Sequence, residues 1–207
     1  MRVSTKPRGP GGRPRKFDEG EALGIIQRQI WTTGLSGVSL DGIARSAGLN
    51  RPSLAASFGG KDEIYAKAAR HFVGMMDARM RQALSFGDLE TALRTAFDVA
   101  IDIYTANGPD GCFVICTAPA EAQTSPVCQA VLDQALEAID AVFLGRLEQD
   151  SVAAGAADLS LLAAQLGATL HSVALRARAG WSPDRLRALA RAAIAQVIVA
   201  VRTGSAS

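Results

Sequence analysis

Histidine is nearly absent from this chain, with two residues in 207, and cysteine is scarce, with three. His71 and His171 lie far apart, each inside an apolar helical pattern, where a satisfied histidine competes with a pocket-lining one. No His/Cys/carboxylate group has the spacing of a zinc site, and no glycine loop is built to cradle phosphate. Neither a metal nor a cofactor is expected. Cys112, Cys116 and Cys128 are too few for a disulfide framework. Cys112 and Cys116 stand four apart and would share a helical face, either as ordinary buried thiols or as a redox or metal pair. No apolar run reaches the roughly 18 residues of a membrane-crossing helix, and the polar start lacks a signal-peptide core, so a soluble cytoplasmic protein is expected. Paired catalytic groups are missing from the C-terminal half, which argues against an enzyme.

What is present favours helices. Hydrophobic residues make up 48% of the chain, enough for a sizeable core, and alanine and leucine dominate over β-branched residues. Net charge is only +2, but residues 1–70 hold 12 Lys/Arg against 6 Asp/Glu, while residues 71–207 hold 10 against 14. Six basic residues and no acid fall within residues 1–16. This polarity points the N-terminal part toward a polyanion. Rich in Gly and Pro as well, residues 1–16 read as a disordered basic arm, with Arg13, Arg15 and Lys16 suited to a DNA minor groove.

The most informative stretch runs from Ser39 to Tyr65. Ser39 caps a short helix with Ile43, Ala44 and Ala47 on one face. Gly48 supplies a left-handed turn and Leu49 a buried pin. Asn50 caps a second short helix, with Pro52 in its first turn and Leu54, Ala55 and Phe58 facing the core. Two caps and a turn glycine between two short helices form a helix-turn-helix, the motif spanning about residues 40–59. A preceding helix from Phe17 or Asp18 to Gly34 carries Ala22, Leu23, Ile26, Ile30 and Trp31.

Gly60 and Lys61 open a long helix to about Leu84, with Ile64, Ala68, Phe72, Met75, Met76 and Met80 on its apolar face. Further helices follow from Asp88 to Asn107, over 111–122 with a kink at Pro119, from Ser125 to about Gln149, over about 158–179, and over about 183–202. The helix after Ser125 carries Val127, Ala130, Val131, Ala135, Ala138, Ile139, Val142 and Phe143 as its stripe. Residues 151–158 read as a linker. The expectation is an all-α fold of nine helices: an arm (1–16), a helix-turn-helix domain (17–67) and a larger helical domain (68–207).

The residues Gly34, Ser39-Leu40, Ile43-Ala44, Ala47-Gly48-Leu49, Ser53-Leu54, Phe58 and Lys61-Asp62-Glu63 resemble the TetR family of bacterial transcriptional regulators. Over residues 12–72 the runs GRPRKFDEGEAL and NRPSL strengthen the resemblance. GCFV and ARAGWSPDRL extend it more weakly into the second half. The resemblance implies a homodimer on a palindromic operator, with a helical effector-binding domain behind each head. Carried onto this chain, Arg51, Pro52, Ser53 and Ser57 of the recognition helix would face the major groove, with Ser39, Asn50 and Lys61 at phosphates. Two positions depart from the family pattern: Ala55 stands where tyrosine is usual, and Gly42 where aspartate is frequent. A recognition helix with few long side chains implies reliance on the arm and on phosphates more than on base edges.

Apolar and aromatic side chains on successive helices of the second domain suggest a pocket for a hydrophobic or aromatic molecule. Its expected lining is Met76, Phe97, Tyr104, Phe113, Phe143 and His171, although the same residues can simply fill a core. The last two helices are apolar and rich in small residues, which suits a seam between subunits at Leu166, Leu170, Val173, Ile194, Val197 and Val201, or an intrachain core. The leading reading is an effector-released repressor. An all-α enzyme with a basic tail and a ligand-independent architectural DNA binder are the alternatives.

Overall fold

The structure, a computed structural model, describes residues 18–106, 108–150 and 158–204. The basic arm with Arg13, Arg15 and Lys16, the helix stop at Asn107 and most of the expected linker lie outside the described residues. Within them the fold is all-α: α1 (Glu19–Thr33), α2 (Leu40–Ser46), α3 (Arg51–Phe58), α4 (Lys61–Leu84), α5 (Leu89–Thr105), α6 (Phe113–Thr117), α7 (Pro126–Glu148), α8 (Leu159–Arg178) and α9 (Pro183–Gly204).

Side-chain caps fix most helix starts. The Asp18, Ser39, Asn50, Asp88, Ser125 and Asp158 side chains each accept a hydrogen bond from a backbone N–H of the first turn. Each such cap stabilises its helix by roughly 1 kcal/mol. Gly48, at φ 66°, turns the chain out of α2, and the Leu49 N–H then donates to the Ala44 carbonyl at 2.8 Å. That bond closes a Schellman-type turn and sets the angle between α2 and α3.

Four expectations change in detail. Leu49 is half-buried rather than fully buried, and Ala55 is exposed instead of facing the core. By helical spacing Leu54 and Phe58 share the inward face of α3, and Ala55 lies just outside that face, where it is exposed. The kinked helix expected over 111–122 is only the five residues of α6; Ala118 follows it, and turns carry the chain to Ser125. Ala130, expected in the α7 stripe, is exposed.

Helices α1–α3 form a small head whose core is Ile26, Ile30, Leu35, Ile43, Leu54, Phe58 and Ile64, all nearly or wholly buried. Both α1 and α3 pack on α4, and α4 continues into the larger body, where it meets α5 and α7. In the body, α8 lies against α5, α6 and α7, and α9 against α5 and α8. A single long helix therefore belongs to both cores. Short α6 touches α1, α4, α7 and α8, at the junction of head and body.

Candidate DNA-reading head and effector cavity

The head presents α3 outward. Arg51, Pro52, Ala55 and Ala56 are exposed, whereas Ser53 and Ser57, expected in the major groove, are half-buried on its flanks. Arg51 Nη1 donates to both carboxylate oxygens of Asp41, each at 3.2 Å. With side chains 59% and 61% exposed, that pair holds Arg51 only loosely. Ser39 and Asn50 are exposed but use their side-chain oxygens as caps, to Gly42 N–H at 3.0 Å and Ser53 N–H at 2.8 Å. Lys61 is half-buried at the first position of α4. Gly42 sits tightly behind the first cap: a Cβ there would lie 3.1 Å from Ser39 Oγ.

Sequence reasoning did not single out Lys67. Its Nζ donates to the Ser57 carbonyl at 2.6 Å and lies 5.5 Å from the centre of the Phe58 ring. A lysine on α4 thus satisfies a carbonyl that α3 leaves open at its C-terminus and fixes the tilt of α3 on α4.

In the body, α4, α5, α6, α7 and α8 line an apolar pocket that opens to solvent, with a cavity volume of about 50 Å³. Of the six expected lining residues, Met76, Tyr104 and His171 line it. Phe97, Phe113 and Phe143 do not. Phe97 and Phe143 stack on each other at 5.7 Å between ring centres, inside the core. Phe113 is wholly buried and packs with Trp31, Tyr65 and Phe72 at centre distances of 5.9, 5.5 and 6.0 Å. The remaining lining is mostly aliphatic and includes Val73, Val114, Ile115, Ile139, Val142 and Leu170, with Phe72 and Cys112.

Charge is nearly absent from that lining. Asp77 reaches it but is occupied by Arg81 Nε, 2.9 Å from both of its oxygens. No lysine or arginine lines the cavity. Burial holds His171 below its ordinary value of 6.5, against the opposing pull of Asp140, which favours the neutral imidazole. Burial pushes the Tyr104 hydroxyl well above its usual range, and Cys112, its hydrogen-bonding partner, rises to about 11. Burial likewise raises Cys116 and Cys128. Thiols held protonated in this way are poor nucleophiles and poor metal ligands. Among the described residues no three His, Cys, Asp or Glu side chains are grouped to hold a metal ion.

Head and body meet in a small aromatic cluster backed by polar contacts. Trp31 of α1 packs edge-on against Phe72 of α4, with centres 5.1 Å apart, and Phe72 also lines the cavity. The Tyr65 hydroxyl and Thr117 Oγ1 share a buried hydrogen bond of 2.9 Å, while Thr117 Oγ1 donates to the Phe113 carbonyl at 2.7 Å. Outside this cluster, Arg178 of α8 donates to the Trp31 carbonyl at 2.7 Å and the Asp110 carbonyl at 3.3 Å. Glu121 accepts from the Ser36 N–H at 2.9 Å and from the Ser36 hydroxyl. Gly111, at φ 87°, lets the loop before α6 lie against α8, since a Cβ there would stand 2.6 Å from the Ala174 carbonyl oxygen.

The residues expected at a subunit seam are placed differently. Leu166, Leu170, Val173, Ile194, Val197 and Val201 are all at most 1% exposed, inside the core of a single chain. The opposite faces of the same helices stay open: Leu161, Ala168 and Leu175 on α8, and Ala188, Ala192, Ala195 and Val199 on α9.

Residues 27–68 match the model described as bacterial regulatory proteins, tetR family. The chain is 25% identical over 189 residues to the HTH-type transcriptional repressor ComR of Escherichia coli strain K12, covering 86% of this chain and 88% of ComR. A cysteine mutant of the TetR family transcriptional regulator CifR, solved with a 26-base-pair operator DNA, superposes with a TM-score of 0.79 at 23% identity, over 88% of this chain and 98% of that one. SCO4454, a TetR-family transcriptional regulator from Streptomyces coelicolor, gives 0.77 at 19% identity, over 88% and 95%. The head thus matches the tetR family of bacterial regulatory proteins by sequence over residues 27–68, and the helical body behind it has the fold of solved TetR-family transcriptional regulators.

Proposed function

We propose that the protein is a ligand-responsive repressor, acting as a homodimer on a palindromic operator and released from it by a small neutral hydrophobic or aromatic effector. The observation that carries this reading is the packing of Phe72, which lines the cavity on one side and meets Trp31 of the head on the other. An effector that prefers one arrangement of the cavity wall displaces the populations of both, because close-packed aromatic rings do not deform continuously. Moving from mostly DNA-competent to mostly released, 99:1 to 1:99, requires about 10⁴-fold preference of the effector for the released state.

In this reading residues 17–67 form the DNA-binding domain and residues 68–207 the effector-binding and dimerisation domain. Arg51 and Pro52 enter the major groove, with Ser53 and Ser57 at its edge. Ser39, Asn50 and Lys61 lie at the backbone, and the arm residues Arg13, Arg15 and Lys16 reach the minor groove. Met76, Tyr104 and His171 contact the effector; the lining, whose one carboxylate, Asp77, is taken up by Arg81, disfavours carboxylates and phosphates, which would lose hydration without gaining a counter-charge. The exposed alanine stripe of α9 and the apolar face of α8 supply the seam in place of the six buried residues. Small side chains there allow two copies of each helix to pack closely into a four-helix contact. Binding the chromosome puts the protein in the cytoplasm, and none of its described helices is long and apolar enough to cross a membrane.

The experiment is a thermal-shift screen of neutral aromatic and aliphatic compounds on the full chain, followed by operator titration with each binder. A compound that raises the melting temperature is expected to weaken operator binding. Tight cavity binders that leave operator affinity untouched would refute effector control.

A further inference from the structure

Apart from Arg51, the outward face of α3 holds no hydrogen-bonding side chain: Pro52, Ala55 and Ala56 are its other exposed residues. Ser53 and Ser57 lie on the flanks. Leu54 and Phe58 bury the inner face, and Lys67 secures the C-terminal end through the Ser57 carbonyl. The outward face is therefore held in one orientation, and it is mostly aliphatic.

In the major groove only thymine offers an apolar feature, its 5-methyl group; the other base edges present donors and acceptors. Aliphatic side chains pressed against a donor or acceptor strip its water and return no hydrogen bond. Against a thymine methyl they bury apolar surface from both sides. Selectivity arises here from rejection as much as from attraction.

We propose that Pro52, Ala55 and Ala56 determine operator specificity by reading thymine methyl groups, so that each half-site carries T·A pairs beneath α3, with Arg51 adding a guanine contact. The proposal rests on α3 being the recognition helix. Arg51 leaves Asp41 to make its contact, at little cost because both side chains are well exposed.

The test uses the full chain and the duplex it selects from a random-sequence pool. Each thymine of the selected half-sites is replaced by deoxyuridine, which lacks only the 5-methyl group, and affinity is read by fluorescence anisotropy. Removing one contacted methyl is expected to weaken binding about fourfold, and removing its counterpart in both half-sites about fifteenfold. A doubly substituted chain, Ala55→Ser with Ala56→Ser, keeps helix length and is expected to respond less to deoxyuridine. The proposal is overturned if affinity is indifferent to deoxyuridine everywhere, or if the response is undiminished in the Ser/Ser chain, which would assign it to DNA stiffness. Failure of the underlying reading looks different: Arg51→Ala and Ala55→Glu would then leave affinity for the selected duplex unchanged.

Discussion

The bond between Ser36 and Glu121 joins residues 85 positions apart, one in the head between α1 and α2, the other in the turn between α6 and α7. Glu121 accepts both the N–H and the hydroxyl of Ser36, so one carboxylate oxygen anchors the head loop. A hydrogen bond to a charged group contributes about 1.5–3 kcal/mol when shielded, and less where, as here, Ser36 is exposed and Glu121 half-buried. Ser36→Ala removes the hydroxyl bond alone and is expected to cost about 1 kcal/mol. Glu121→Ala removes both, at about 1.5–2 kcal/mol. Added to Glu121→Ala, Ser36→Ala has nothing further to lose. The double-mutant cycle in urea should then show coupling of about 1 kcal/mol, or about 2–4 °C in melting temperature. Amide hydrogen exchange supplies a second measure, because the Ser36 N–H should be protected in the parent and exchange faster in Glu121→Ala. Additivity within about 0.3 kcal/mol, together with unchanged exchange at Ser36, would refute the idea that this contact ties the head to the body.

Three further outcomes follow from the same geometry. Gly111→Ala combines a positive φ with a close approach to the Ala174 carbonyl, so it should destabilise the chain by 2 kcal/mol or more, read as a drop in urea midpoint. Ala195→Arg puts a charge on the open face of α9 without touching the core, and should yield a folded monomer by analytical ultracentrifugation with normal helicity by circular dichroism. For His171 the unfolded chain takes up a proton at a higher pH than the folded one, since burial lowers the folded value below 6.5. Its contribution to stability is complete above that value and is lost as the pH falls through the window beneath it. Urea midpoints at about pH 7.5 and about pH 5.5 should therefore differ less in His171→Gln than in the parent.

Local rules made much of the fold legible. Caps at Ser39, Asn50, Asp88 and Ser125 and the turn at Gly48 stand where side-chain chemistry requires them, and they delimit most of the head and several of the helices behind it. Periodicity identifies an apolar face but not what covers it. Hence Leu166, Val173 and Ile194, which read as a subunit seam before an intrachain core, fill the core of the single chain, and the α9 stripe of Ala188, Ala192 and Ala195 carried too weak a signal to stand out. Phe97, Phe113 and Phe143 were separated from the cavity by the same ambiguity. Arg178 and Trp31, joined across 147 positions, have no local signature at all, because a backbone carbonyl accepts from any donor that the fold delivers. Ala55 was misplaced for a simpler reason: alanine is at home on either face of a helix.

The central claim is that this head reads a two-fold operator. Selection of bound duplexes from a random-sequence pool by the full chain tests it most directly. Enrichment of an inverted repeat whose half-sites lie about one helical turn apart, bound by two protomers, is the predicted result. Recovery of no preferred sequence, with affinity governed by salt alone, would contradict it.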